Sequence, residues 1–187
     1  MNKPLKRKTS KTGDGGIHGQ LLRNNGFQGS NPGLTAYKAI GDVDIQMDGK
    51  TPVSQAINAS LLVSVPRNAT GSVGFANTGY AGIPVHEATY NTSFWMRGKY
   101  EGTVTVQLVG VKNGTIYAEH NLTVRSENER FKQFGGSFRA SKAPDGDNDW
   151  RVLFDARKVR NGSVNFGLVE LFPPTYHGRC VFVFLKG

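Results

Sequence analysis

The chain has 187 residues, 37% hydrophobic and 20% charged, which suffices for one sizeable core with ragged ends. A packed (β/α)8 barrel needs roughly 250 residues and is excluded on length. The formal net charge of +9 points to nucleic acid only until it is located, because Lys3, Lys6, Arg7, Lys8 and Lys11 place five positive charges in the first eleven residues. A short basic arm is not a basic face, and no nucleic-acid partner is expected.

No stretch approaches the roughly 20 apolar residues of a membrane span, so no membrane partner is expected. The opening MNKPLKRKTSKTGDGG has a basic start without an apolar core behind it and does not read as a secretory signal. The lone cysteine, Cys180, rules out an intrachain disulfide and every multi-thiolate metal site. Six Asn-x-Ser/Thr sequons stand at Asn58, Asn68, Asn91, Asn113, Asn121 and Asn161 among fourteen asparagines, where chance gives about two. The excess reflects either passage through a glycosylating compartment or Ser and Thr common on strand surfaces.

Residues 1–12 read as a polar arm. Ile17, Leu21 and Leu22 then share a helical stripe, which predicts a short helix over 17–24 that is marginal alone. Residues 25–60 are turn-rich, with a break at Gly29-Ser30-Asn31-Pro32-Gly33, a weakly alternating strand at 43–47 and a hairpin turn at Asp48-Gly49. Strands follow at 61–65, ended by Pro66, and at 72–76.

Residues 89–97 are the richest aromatic strand. Residues 103–109 alternate with period two, Val104, Val106 and Leu108 on one face, and Asn113-Gly114 predicts a two-residue turn into 116–124. Phe131, Phe134 and Phe138 lie in a glycine-interrupted segment, 143–148 is a polar acidic loop, and 150–154 is a strand. In the next strand Val164, Phe166, Leu168 and Glu170 fall on one face. Cys180–Gly187 is an apolar tail, either a buried last strand or out-of-frame text. Seven to nine strands without crossover helices predict an all-β sandwich or jelly roll.

Chemistry is sparse. Asp145, Asp147 and Asp149 form the only acidic cluster, read as a calcium loop or a solvated turn. His18, His86, His120 and His177 have no metal-ligand spacing, and Gly13, Gly15, Gly16 and Gly19 lack the strand and the Gly-Lys-Ser/Thr of a phosphate loop. No cofactor is expected. A β-sandwich can instead present rings to the apolar face of a sugar, with polar groups on its hydroxyls. The candidates are Tyr90, Trp95, Arg97, Tyr100 and Trp150, each ring being a core filler in the alternative.

Three words occur together in order. Gly13–Ile17 with Leu21–Asn24 and Phe27-Gln28-Gly29 resembles the segment after the first barrel strand of eukaryotic family 51 glycoside hydrolases, the α-L-arabinofuranosidases. Val73–Tyr80 and Tyr90–Gly98 resemble the domain inserted after that segment. Leu171–Tyr176 with Gly178-Arg179 resembles the return to the barrel.

The resemblance implies four stretches. These are an arm at 1–12, a barrel-derived helix fragment and turn at 13–34, a jelly-roll, galactose-binding-like, carbohydrate-binding-like sandwich at 35–172, and a barrel return with an apolar tail at 173–187. Short fragments of an incomplete (β/α)8 barrel are thus expected at both ends. The family removes terminal arabinofuranosyl groups from arabinan and arabinoxylan with two glutamates on later barrel strands, which no residue here matches. The expectation is a truncated, catalytically inactive α-L-arabinofuranosidase, or a non-catalytic carbohydrate-binding or structural module, with an arabinose-containing polysaccharide as partner and an extracellular family. The family usually has glutamate at Gln20 and an aromatic at Ala81.

Overall fold

The computed structural model describes residues 19–28 and 33–174. Ten strands follow one another: β1 Tyr37–Ile40, β2 Asp44–Asp48, β3 Ser60–Ser64, β4 Ser72–Asn77, β5 Ala88–Arg97, β6 Tyr100–Gly110, β7 Ile116–Ser126, β8 Lys132–Ala140, β9 Asn148–Asp155 and β10 Ser163–Phe172. They form two five-stranded antiparallel sheets, ordered β1-β4-β9-β6-β7 and β2-β3-β10-β5-β8. A single 3-10 turn, Ala156–Lys158, joins β9 towards β10.

Alternation explains the layers. Val104, Val106 and Leu108 of β6 and Trp150, Val152 and Phe154 of β9 are buried, while the intervening residues face outwards. Phe166 of β10 is where the sheets meet: its ring lies 5.0 Å from Phe75, 5.8 Å from Phe154 and 5.6 Å from Phe94. Burying a side chain of this size contributes about 2–3 kcal/mol. The segment holding Phe134 and Phe138 is a continuous strand, β8, running through Gly135 and Gly136.

The expected barrel fragments are not found. Among the described residues there is no α-helix, and 19–28 is a chain of bends and turns that belongs to the sandwich. The Leu21 amide donates to the Leu171 carbonyl, and the Gln20 side-chain carbonyl accepts from both Leu22 N (3.1 Å) and Leu171 N (2.9 Å). Leu22 and Phe27 are buried, Phe27 lying 5.0 Å from Tyr37. Of the apolar stripe read as helical, Leu22 is buried and Leu21 packs against the core, while Ile17 lies outside the described residues; the hydrogen bonds to Leu171 of β10 take up backbone groups a helix would have paired internally. At the other end β10 runs on to Phe172 without a helix before Pro174.

The predicted arm, the glycines at 13, 15 and 16, His18, Gly29–Pro32, and Thr175 onwards, with His177, Gly178-Arg179 and the Cys180 tail, lie outside the described residues. Among the described residues no helix is long and apolar enough to cross a membrane.

Three local departures matter. The connection after Asp48 is the loop 49–59 rather than a tight hairpin. The β6–β7 connection is not a two-residue turn but spans 111–115, closed by Gly110 N to Thr115 O and Gly114 N to Gly110 O, with Gly114 (φ 66°) alone among them in the left-handed region. Finally, β10 is bulged between Gly167 and Glu170, with Leu168 at φ 39°. Left-handed backbone costs a leucine energy, and here it shifts the side-chain phase. Val169 and Leu171 are buried instead of Leu168, and Glu170 turns outwards.

Candidate functional site

On β5, Tyr90, Phe94 and Met96 enter the core, so Asn91, Ser93, Trp95 and Arg97 point away from it. Their neighbours across the sheet are fixed by register: Arg97 faces Asn165, Trp95 faces Gly167 and Gln133, and Ser93 faces Glu170 and Gly135. The bulge is what delivers Glu170 to this face, where its carboxylate accepts from the Ser93 hydroxyl at 2.5 Å. Gln133 Nε2 donates to the same hydroxyl at 3.4 Å.

Gly167 makes room. A Cβ there would fall 2.1 Å from Val53 Cγ2 and 3.6 Å from Phe131 Cε1, so the 49–59 loop closes onto the sheet only because that position has no side chain. Trp95, half-buried, lies beside this apolar spot, and its indole N–H is buried without a hydrogen-bond partner among the described residues.

Towards the β5–β6 turn the face opens into a polar cleft of about 240 Å3 lined by Thr51, Arg97, Asn128, Asn161, Ser163 and Asn165. Its side chains are held. Arg97 Nε donates to the Asn128 carbonyl (2.5 Å), and Asn165 Nδ2 donates to Asp48 Oδ2 and Ser60 Oγ, both at 3.0 Å. Ser60 in turn donates to the Thr51 carbonyl. Burial pushes the Asp48 carboxyl up, but hydrogen bonds from Thr51, Lys50 and Asn165 outweigh it and hold the group below its usual value.

Of the five sequence candidates, Arg97 lines this cleft and Trp95 lies two residues away on the same face of β5, outside the cleft lining. Tyr90, Tyr100 and Trp150 are core residues at 0%, 1% and 0% exposure. The Tyr90 hydroxyl accepts from His86 N (2.9 Å), Tyr100 donates to the Thr103 carbonyl (2.7 Å), and burial pushes the Tyr100 phenol up. Trp150 packs edge-on to Phe75.

Asp145 and Asp147 each lie 3.6 Å from the Lys112 ammonium, whereas Asp149 is on β9, buried, 3.8 Å from Arg151. Burial pushes the Asp149 carboxyl up against the opposing pull of Lys38 and Arg151. Among the described residues no three His, Cys, Asp or Glu side chains converge as a metal site. Of the sequon asparagines, Asn58, Asn68, Asn113, Asn121 and Asn161 are exposed, and Asn91 is half-buried, accepting from Ser137 Oγ.

Sequence reasoning missed Asn165, Ser93, Gln133 and Glu170. Strand parity with the buried Phe94 and Phe166 locates Ser93 and Asn165, but the bulge hides Glu170 from any parity count.

The ten-stranded, jelly-roll-like sandwich is an architecture also found in carbohydrate-binding domains. The xylan-binding domain CBM22-1 of a Paenibacillus barcinonensis xylanase superposes with a TM-score of 0.57 at 10% identity, over 83% of this chain and 95% of that one, a likeness of fold alone. Kinship goes further. The chain is 45% identical over 168 residues to the probable α-L-arabinofuranosidase A of Aspergillus flavus, covering 90% of this chain and 27% of that protein. A solved arabinose-bound family 51 α-L-arabinofuranosidase superposes with a TM-score of 0.79 at 31% identity, over 89% of this chain and 28% of that one. No protein-family model matches. The chain thus matches family 51 α-L-arabinofuranosidases along nearly its whole length while spanning about a quarter of theirs, and its described residues form no (β/α)8 barrel.

Proposed function

We infer that this chain is the saccharide-binding module of an α-L-arabinofuranosidase-related polypeptide and hydrolyses nothing by itself. The carrying observation is the outward array on β5 and β10, in which Trp95 stands beside a cleft whose Arg97 and Asn165 are already fixed by hydrogen bonds. Fixed polar groups next to an indole suit a sugar, whose ring carbons meet the aromatic and whose hydroxyls meet the amide and guanidinium. An arabinose-bearing polysaccharide fits the kinship. The exposed sequons support an extracellular setting.

Glycoside hydrolysis needs two carboxyl groups held roughly 5–9.5 Å apart, one of them with a raised pKa. On this face Asp48 is held below its usual value, and Glu170 is engaged by Ser93. The raised carboxyl, Asp149, is on the opposite sheet beside Arg151. Glu101, Glu127 and Glu129 line another cleft, but all three are exposed, and the last two lie on the β7–β8 loop, so no rigid strand pair sets their separation.

Affinity electrophoresis in arabinoxylan tests binding, with retardation expected for the protein and its loss in Trp95→Ala and Arg97→Ala. Unchanged mobility in the polymer defeats this reading. Incubation with a chromogenic arabinofuranoside is expected to match the buffer blank, and turnover surviving repurification overturns the non-catalytic assignment.

A further inference from the structure

The polar cleft does not end at Arg97. Asn161 also lines a second cleft, of about 690 Å3, together with Pro66, Arg67, Arg157, Val159 and Arg160. Three arginines line this second cleft and no acidic residue does, while Arg160 also borders the neighbouring cleft that holds Glu101, Glu127 and Glu129. Arg157 is partly neutralised by Asp155, its Nε 3.3 Å from Oδ1, but Arg67 and Arg160 have no carboxylate within 4.0 Å among the described residues.

The backbone under these arginines is well tied. Val65 N donates to Gly162 O at 2.7 Å, Ala69 N to Pro66 O at 3.0 Å, and Arg160 N to Lys99 O at 3.1 Å. The Asp155 side chain accepts from Arg157 N and caps the 3-10 turn. Val65, Pro66 and Val159 supply apolar surface between the charges.

The geometry points to a second subsite at this end of the sandwich that takes the carboxylate of a uronosyl unit, so that the preferred ligand is an acidic heteropolysaccharide bearing uronic acid beside neutral sugars. This rests on the saccharide-binding reading above and specifies its substrate class. Guanidinium forks match carboxylates in two-point hydrogen bonding, and the apolar strip accommodates the hydrogen-bearing face of a pyranose ring. The continuity through Asn161 matters, because a polar cleft with one cation, Arg97, leading into one lined by three arginines suits a polymer with spaced charges. A nucleic acid would charge every unit and would stack its bases, yet the single ring lining any of the three clefts at this end is Tyr100, which is 1% exposed.

The test compares three polymers in affinity electrophoresis at low and high salt: neutral arabinoxylan, an arabinoxylan carrying glucuronosyl groups, and the latter after carboxyl reduction. The protein is made in a non-glycosylating host, leaving Asn68 and Asn161 bare. The acidic polymer is expected to bind roughly tenfold more tightly than the neutral one at low salt, the gain falling with salt and with carboxyl reduction. Arg67→Gln with Arg160→Gln removes the gain, leaves binding to neutral arabinoxylan unchanged, and leaves the melting temperature unchanged as a control for folding. Equal binding of acidic and neutral polymers overturns the uronate subsite and leaves the binding-module reading standing. Equal retention of an inorganic polyphosphate of matched charge density also overturns it, in favour of unspecific polyanion attraction. Failure to bind the neutral polymer at all defeats the earlier reading instead.

Discussion

The two outer faces of the sandwich obey the same alternation and have opposite characters. On the β1-β4-β9-β6-β7 sheet, cross-strand neighbours satisfy one another: Gln107 donates to Glu119 at 2.7 Å and Thr105 to Asn121 at 2.7 Å, along the stretch of β6 and β7 that stays in register up to a shift between Leu108 and Val109 near the end of β6. On the other sheet a bulge, a side-chain-free position and a folded-over loop interrupt the pattern, and the cleft lies there. Regular pairing uses polar groups up internally, whereas an interruption leaves them directed at something else.

The contrast can be broken most forcefully at two glycines. On the regular sheet an added Cβ at Gly74 would fall 1.9 Å from the Val152 carbonyl oxygen, a backbone atom with nowhere to go. Gly74→Ala is expected to cost about 3 kcal/mol, read by urea unfolding. Gly167→Ala meets only the Val53 side chain on a loop. It should cost about 1 kcal/mol yet abolish retardation in arabinoxylan by lifting the loop off the sheet, and retained binding would show that the loop plays no part in the site.

Asp149 offers a change of opposite sign. Its folded carboxyl titrates above its unfolded value because burial dominates, so the native state binds the proton more tightly and wild-type stability falls as pH rises from the usual carboxylate range through the raised value. Asp149→Asn removes that cost. It is expected to stabilise the protein at pH 7 by less than about 1 kcal/mol once solvent screening is discounted, with the gain vanishing below the unfolded pKa of about 4. Melting scans across pH check both the sign and the window.

The smallest effect sharpens the comparison from the quiet side. Gln107→Ala should cost about 0.5 kcal/mol and leave polysaccharide binding untouched. Any loss of retardation would mean that the regular face also holds sugar. Glycan occupancy offers one further handle, since Asn161 lines both clefts. Protein from a glycosylating host, occupied at Asn161, is expected to bind less tightly than the same chain with Asn161→Gln.

Much of this was legible in the sequence because period two is a local signal. The strands at 61–65, 72–76, 89–97, 103–109 and 150–154 sit where strand composition, turn signals and, for 103–109, alternation put them, within three residues at either end. The predicted helix failed over its described part, 19–24, because Leu21 and Leu22 are held by tertiary contacts, one backbone bonded to Leu171 and the other side chain buried, and spacing cannot separate that from a stripe. Trp95 and Arg97 were legible as polar-face members of an aromatic strand. Tyr90, Tyr100 and Trp150 looked equally eligible, because which parity faces inwards is set by the second sheet and not by the strand itself. Arg67, Arg157 and Arg160 come from two loops some ninety residues apart, and nothing local joins them before the chain folds.

The bond between Leu21 and Leu171 has a mechanical meaning. The described chain enters and leaves the sandwich at neighbouring points, tied to each other by the hydrogen bonds of Gln20 and Leu21 with Leu171. A unit attached in this way can be spliced between two segments of a host without stretching either. The cleft at Arg97, Ser163 and Asn165 lies at the opposite end of β5 and β10 from that junction and so faces away from the point of attachment.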